Sequence, residues 1–202
     1  GSTKNFYMMF DKRFNLILCL VLLVSCSQEP EDFNKNETVT RDGLVYHQLS
    51  TEPLTGTVVS FYENGRLEDR EHFKDGELDG LYESFFENGQ LKYRTNIKDG
   101  KTDGLREYFY ENGQLKSRGN FKDGVQSGFY ESFWENGQLW GRQNFKEGER
   151  DGLWQLFDDN GQLLEKGNFK DGQRIGLWEW FDRDGKLTRT KTYTHKDGVL
   201  QE

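Results

Sequence analysis

The residues Tyr110-Glu111-Asn112-Gly113-Gln114-Leu115-Lys116, then Asn120-Phe121-Lys122-Asp123-Gly124 and Gly128-Phe129-Tyr130, decide how the whole chain reads. Asn112-Gly113 sits between apolar runs, which is the strongest short-range signal for a β-hairpin. Asp123-Gly124 reverses the chain a second time. The Asn-Gly turn recurs at Asn64-Gly65, Asn88-Gly89, Asn136-Gly137 and Asn160-Gly161, with Asp184-Gly185 in the last copy, always in steps of 24. The Asp-Gly turn keeps the same step at Asp75-Gly76, Asp99-Gly100, Glu147-Gly148 and Asp171-Gly172. A third glycine series, Gly56, Gly80, Gly104, Gly128, Gly152 and Gly176, stays in phase with both. Three series with one period define a repeat array.

Each unit reads as two strands, for example Gly80 to Phe86 and Leu91 to Ile97. The fold class is therefore all-β: an elongated antiparallel meander of repeated hairpins, a single sheet that twists or curls. Composition agrees. The chain of 202 residues has 23 glycines and no alanine, and glycine costs about 1 kcal/mol per helical position. Charged residues are 31%, but aromatics are 15%, and disordered chains are poor in aromatics.

Alternation along the first strand of each unit places Leu81, Leu105, Phe129, Leu153 and Leu177 on one face with Phe85, Phe109, Phe133, Phe157 and Phe181. Tyr82, Arg106, Tyr130, Trp154 and Trp178 fall on the other. A two-residue Asn-Gly turn pairs Glu83 with Arg94, Glu107 with Arg118 and Glu131 with Arg142, whereas a three-residue loop with a bulge shifts that register by one.

The N-terminus reads as targeting rather than fold. Lys12 and Arg13 precede an apolar run from Phe14 to Val24, which is shorter than the roughly 20 residues of a membrane-spanning helix. Leu23-Val24-Ser25-Cys26 resembles the bacterial lipobox, which implies cleavage before Cys26 and acylation of its thiol. Residues 1–25 are expected to be a signal peptide, with translation starting at Met8 or Met9 and 1–7 an upstream extension. Residues 26–38 are expected to be the lipidated cysteine and an acidic flexible tether, and 39–202 the repeat domain. The expected location is the cell envelope, anchored to a bacterial outer membrane. Removing 1–25 takes three basic residues and one acidic residue from a formal charge of −8, giving −10. Such a chain is a poor ligand for nucleic acid. With Cys19 in the signal and Cys26 acylated, the domain has no thiol for a disulfide or a metal.

The repeat unit resembles the bacterial MORN-variant repeat over about residues 40–200, and Glu52-Pro53-Leu54-Thr55-Gly56 resembles that family's entry into its first full unit. The resemblance implies a β-hairpin array acting as a protein-binding scaffold. It also implies kinship with the YwqK-type antitoxins of toxin–antitoxin modules, which in an exported protein becomes immunity against a toxin met in the envelope. A surface glycan is the alternative partner.

No catalytic constellation stands out. His47, His72 and His195 do not occupy equivalent repeat positions, and the calcium-like run Asp75 to Gly80 is broken in later copies. The expectation is a protein that is not an enzyme and uses no cofactor or metal. The candidate binding surface is aromatic: Tyr82, Tyr108, Tyr130, Trp134, Trp154, Trp178 and Trp180, mostly as core with a subset exposed along a groove.

Overall fold

The computed structural model describes residues 32–196 and 199–201. The signal-peptide and Cys26 readings lie outside them. The described residues are all-β apart from one 3-10 turn, Lys35–Glu37. In order the strands are β1 Asp32–Asn34, β2 Thr38–Arg41, β3 Leu44–His47, β4 Gly56–Phe61, β5 Leu67–Lys74, β6 Glu77–Phe85, β7 Leu91–Lys98 and β8 Lys101–Phe109. They continue as β9 Leu115–Lys122, β10 Val125–Phe133, β11 Leu139–Lys146, β12 Glu149–Phe157, β13 Leu163–Lys170, β14 Gln173–Phe181, β15 Leu187–Lys196 and β16 Val199–Gln201. From β4 to β16 each strand pairs with the next, in an open 14-stranded sheet whose first strand is β1. At about 4.8 Å per strand it extends roughly 60 Å across the strands.

The N-terminal boundary differs from the expected one. Residues 32–38 belong to the folded unit and are not tether: β1 pairs in parallel with β4, Phe33 opposite Val58. The capping box Asn34–Glu37 ends that strand, the Asn34 side chain accepting from Asn36 N–H and Glu37 reaching back to the Asn34 N–H. The hairpin β2–β3 docks on the turn between β5 and β6, where Val45 N–H donates to the Gly76 carbonyl. Leu54 and Val58 are buried there, so the first hairpin has an apolar cap in place of a preceding repeat.

The two turns of each repeat are of different kinds. At the Asp-Gly turns both residues have positive φ, as at Asp123 (φ 51) and Gly124 (φ 83), the geometry of a type I′ turn. At the Asn-Gly turns only glycine does. Phe86 N–H donates to the Gln90 carbonyl and Gly89 N–H to the Phe86 carbonyl, which closes a three-residue loop. A register shift between Ser84 and Phe85 then absorbs the extra residue, so Glu83 still stands opposite Arg94. The loop is thus the three-residue form, while the charged row keeps the register of the two-residue form. Asn is required in this loop for its amide: Asn88 Oδ1 accepts from Gln90 N–H at 2.8 Å, and Nδ2 donates to the Glu111 carbonyl of the next repeat at 2.8 Å. The same step joins Asn64 to Glu87, Asn112 to Glu135 and Asn136 to Asp159.

The charged row runs Arg70, Glu83, Arg94, Glu107, Arg118, Glu131, Arg142, Gln155, Lys166, Glu179 across ten strands. Glu83, Glu107 and Glu131 therefore have a basic neighbour on both sides, and Glu179 has Lys166 on one side and Thr190 on the other. The ion pairs form across the Asp-Gly turn, not across the Asn-Gly loop as the sequence suggested: Arg70–Glu83 at 3.0 Å, Arg94–Glu107 at 2.6 Å, Arg118–Glu131 at 2.8 Å and Lys166–Glu179 at 2.8 Å. Cross-strand pairs of this kind contribute about 0.2–1 kcal/mol each.

At the Asp-Gly edge, Asp103 accepts from Lys122 at 2.7 Å and Asp151 from Lys170 at 2.7 Å. The lysine hydrogen bond holds each carboxyl below the ordinary aspartate value of 3.8. A depressed carboxylate favours the fold at neutral pH, and that contribution is lost as pH falls through the depressed value. Carbon-detected titration of Asp103 should give a midpoint below 3.8, and Lys122→Met should return it to the ordinary range; an unchanged midpoint in the variant would remove the assigned cause.

Candidate functional site: the aromatic and arginine face

The core lies on the face opposite the charged row. One row of that face reads Tyr82, Thr95, Arg106, Gly119, Tyr130, Gln143, Trp154, Gly167, and Trp178 opposite Lys191. The next reads Ser84, Tyr93, Tyr108, Ser117, Ser132, Gly141, Leu156, Glu165, Trp180, Arg189. Phe121, Phe145, Phe169 and Tyr193 belong to the same side, from the second strand of each repeat. By contrast, Leu105, Phe129, Leu153 and Leu177 on the charged face are exposed.

Six of the seven aromatic residues singled out from sequence share this face. Trp134 does not. It stands at the Asn-Gly edge, donates Nε1–H to the Phe157 carbonyl at 3.3 Å, and meets Trp140 edge-on at 5.9 Å. Trp178 is on the face but is fully buried, so it offers no surface: Phe169, Trp180 and Tyr193 surround it, and Nε1–H donates to the Asn168 carbonyl at 3.2 Å. Tyr108 is exposed, while Tyr82, Tyr130, Trp154 and Trp180 are half-buried. Tyr82 O–H donates to Asp69 at 3.1 Å, and burial together with that carboxylate pushes its phenol far above the ordinary value of 10.0.

Sequence reasoning missed what covers these rings. Arg106 lies over Phe121 at 3.7 Å, Arg150 over Trp154 at 5.0 Å and Phe169 at 5.2 Å, Arg174 over Trp178 at 4.1 Å, and Arg189 over Trp180 at 4.8 Å. A guanidinium stacked on a ring keeps its N–H edge free for a planar acceptor. Arg174 uses that edge on Glu165 at 3.1 Å and Arg150 donates Nε–H to Gln143 at 2.9 Å. Arg106, Arg150, Arg189 and Lys191 pair with no carboxylate among the described residues. Between Arg106 and Arg150 the face sinks into an open depression of about 380 Å³ lined also by Gln126, Tyr130, Phe145 and Trp154. The sequence held two signals: Arg106, which alternation already places on this face, and the positions 102, 126, 150 and 174 (Thr102, Gln126, Arg150, Arg174), a repeat position that turns basic toward the C-terminus.

His47 and His72 stand apart in different surroundings. His72 Nδ1 lies 2.7 Å from the Leu81 carbonyl, and His47 packs its ring 5.6 Å from Phe33. Among the described residues no group of three His, Cys, Asp or Glu stands close enough to hold a metal ion.

The architecture is that of an open β-hairpin repeat protein with one face sealed by its own ion pairs and the other carrying stacked cations. Six consecutive copies of the MORN repeat variant match residues 54–75, 78–99, 102–123, 124–147, 150–171 and 174–195. The chain belongs to the MORN repeat variant family, whose repeats suit a protein-binding scaffold. No characterised protein matches the sequence. Among solved structures, a Staphylococcus aureus TarM mutant in complex with Fondaparinux, alpha-GlcNAc-glycerol and UDP is similar over 48% of this chain and 19% of that one, at 11% identity and a TM-score of 0.32. This chain thus spans about a fifth of that protein's length, and at that score the likeness carries no argument.

Proposed function

We propose that this protein is a non-enzymatic scaffold of the bacterial cell envelope, held to the membrane by acyl chains on Cys26, that binds a protein partner on its aromatic and arginine face. The observation that carries the reading is the set of guanidinium groups stacked on aromatic rings around an open depression, Arg106 and Arg150 foremost. Tyr, Trp and Arg are the residues on which protein-binding energy concentrates. Immunity against an envelope-directed toxin is the specific form of this function that the antitoxin-like repeat suggests. Glycan stacking is less well served, because a sugar needs a bare ring face and Arg150, Arg174 and Arg189 cover those of Trp154, Trp178 and Trp180.

One experiment in the native bacterium tests both halves. A photo-crosslinking residue at position 126, on the arginine face, should give a discrete protein adduct in the membrane fraction, whereas one at position 120, on the charged face, should not. Cys26→Ala should move both chain and adduct out of that fraction. Adducts from position 120 alone would refute the binding face, and a Cys26→Ala variant that still sediments with membrane would refute the anchor.

A further inference from the structure

Resting on the protein-binding reading above, we infer that the segment bound by this face is an extended acidic peptide with apolar residues between its carboxylates, docking across β8 to β15. The chain carries a formal −8, yet the paired rows of this face over β8–β15 hold Arg106, Arg150, Arg174, Arg189 and Lys191 against one acid, Glu165. On the opposite face Arg70, Arg94, Arg118 and Lys166 each have a carboxylate partner. Four of the five cations of this face thus pair with no carboxylate, against one of five in the charged row, Arg142, which donates to Gln155; in a chain with 35 acidic residues that excess marks cations kept for something else.

Their presentation selects carboxylates. Stacking on Phe121 and Trp154 fixes the guanidinium planes of Arg106 and Arg150, so little side-chain freedom remains to be lost on binding. The buried Trp154 Nε1 donor has no acceptor, which adds to the excess of donors. The depression is open, so it suits a chain laid across it more than an enclosed small molecule. Phe145, Tyr130 and Leu156 along it supply apolar contact.

Spacing gives the register. Arg150 and Arg189 are three strands apart, roughly 14 Å, which about four residues of extended peptide span at about 3.3 Å each. Arg106 and Arg150 are four strands apart, roughly 19 Å or about six residues. A polyphosphate backbone would meet these cations too, but also the acidic remainder of the chain.

The test uses the purified repeat protein and a synthetic twelve-residue peptide with glutamates at its first, seventh and eleventh positions and leucine, phenylalanine and threonine between. Calorimetry should show binding that weakens with salt. It should weaken about tenfold when the glutamates become glutamines, and about tenfold in Arg106→Gln/Arg150→Gln. Arg118→Gln, on the other face, should bind like the parent, and matched thermal melts of all variants separate loss of binding from loss of fold. Equal affinity for the glutamine peptide, retention of binding by the double variant, or tighter binding of a heparin fragment or an oligothymidylate would each overturn the inference. If the peptide fails while crosslinking from position 126 persists, the acidic specificity falls and the docking face stands; if that crosslink also fails, the docking face falls with it.

Discussion

Gly167→Ala is expected to destabilise the C-terminal repeats by about 2–3 kcal/mol, far more than a strand glycine normally resists substitution. A Cβ at position 167 would lie 2.2 Å from the Trp178 ring atoms Cδ2 and Cε2. The Gly167 backbone is ordinary for a strand, so the requirement is for space and not for conformation. The indole lies flat over the glycine, sealed by Arg174 and Phe169. Removing the ring by Trp178→Ala should cost about 3–5 kcal/mol, because the largest fully buried side chain of the described residues is lost. The two changes share one space, so the double variant should cost less than their sum by at least about 1 kcal/mol. Urea unfolding followed by circular dichroism measures all three. Strict additivity would show that Gly167 and Trp178 do not meet as described. Gly119, whose Cβ would stand 2.8 Å from the Tyr130 ring, repeats the device two repeats earlier.

Much of this fold was legible because turn chemistry is local. Asn-Gly and Asp-Gly at a step of 24 specify reversal wherever they occur, so strand number and order follow. The loop type was harder. Asn before Gly suits a two-residue turn and a three-residue loop alike, and what decides is the Asn88 amide reaching Glu111, a bond to the next repeat that no single hairpin contains. The ion pairs failed for the same reason: Arg94 stands between Glu83 and Glu107, and sequence proximity favours the first while the fold pairs the second. The short strand Asp32–Asn34 was hidden in a polar stretch, and only Asn34 and Glu37, spaced as a capping box, marked it.

The candidate site was half legible. Aromatic residues at repeat positions could be counted, and six of seven do share a face. Their cover could not be counted, because Arg106 reaches a ring on the next strand, Phe121, and Arg150 one on the strand beyond it, Phe169. Such contacts depend on strand register, which the bulges beside the glycines of the third series reset once per repeat, as between Glu71 and Phe73 opposite Gly80. Alternation within one strand therefore cannot be carried across to the next without the structure.

The 24-residue unit, and not the domain as a whole, is what folds and what builds the two faces. Deleting Lys101 to Gly124 tests it most directly. The cut joins Gly100 to Val125, leaves an Asp-Gly turn intact, and brings β7 against β10, with Arg94 facing Glu131 and Thr95 facing Tyr130. Deleting only Lys101 to Asn112 instead joins β7 to β9, two strands that run in the same direction, through a connection far shorter than the dozen or so residues a parallel pair requires. The 24-residue deletion is predicted to melt cooperatively in one transition close to the parent, and the 12-residue deletion in two separated transitions at lower temperature. A 12-residue deletion that melts in a single transition like the 24-residue one, or a 24-residue deletion that fails to fold, would contradict the account.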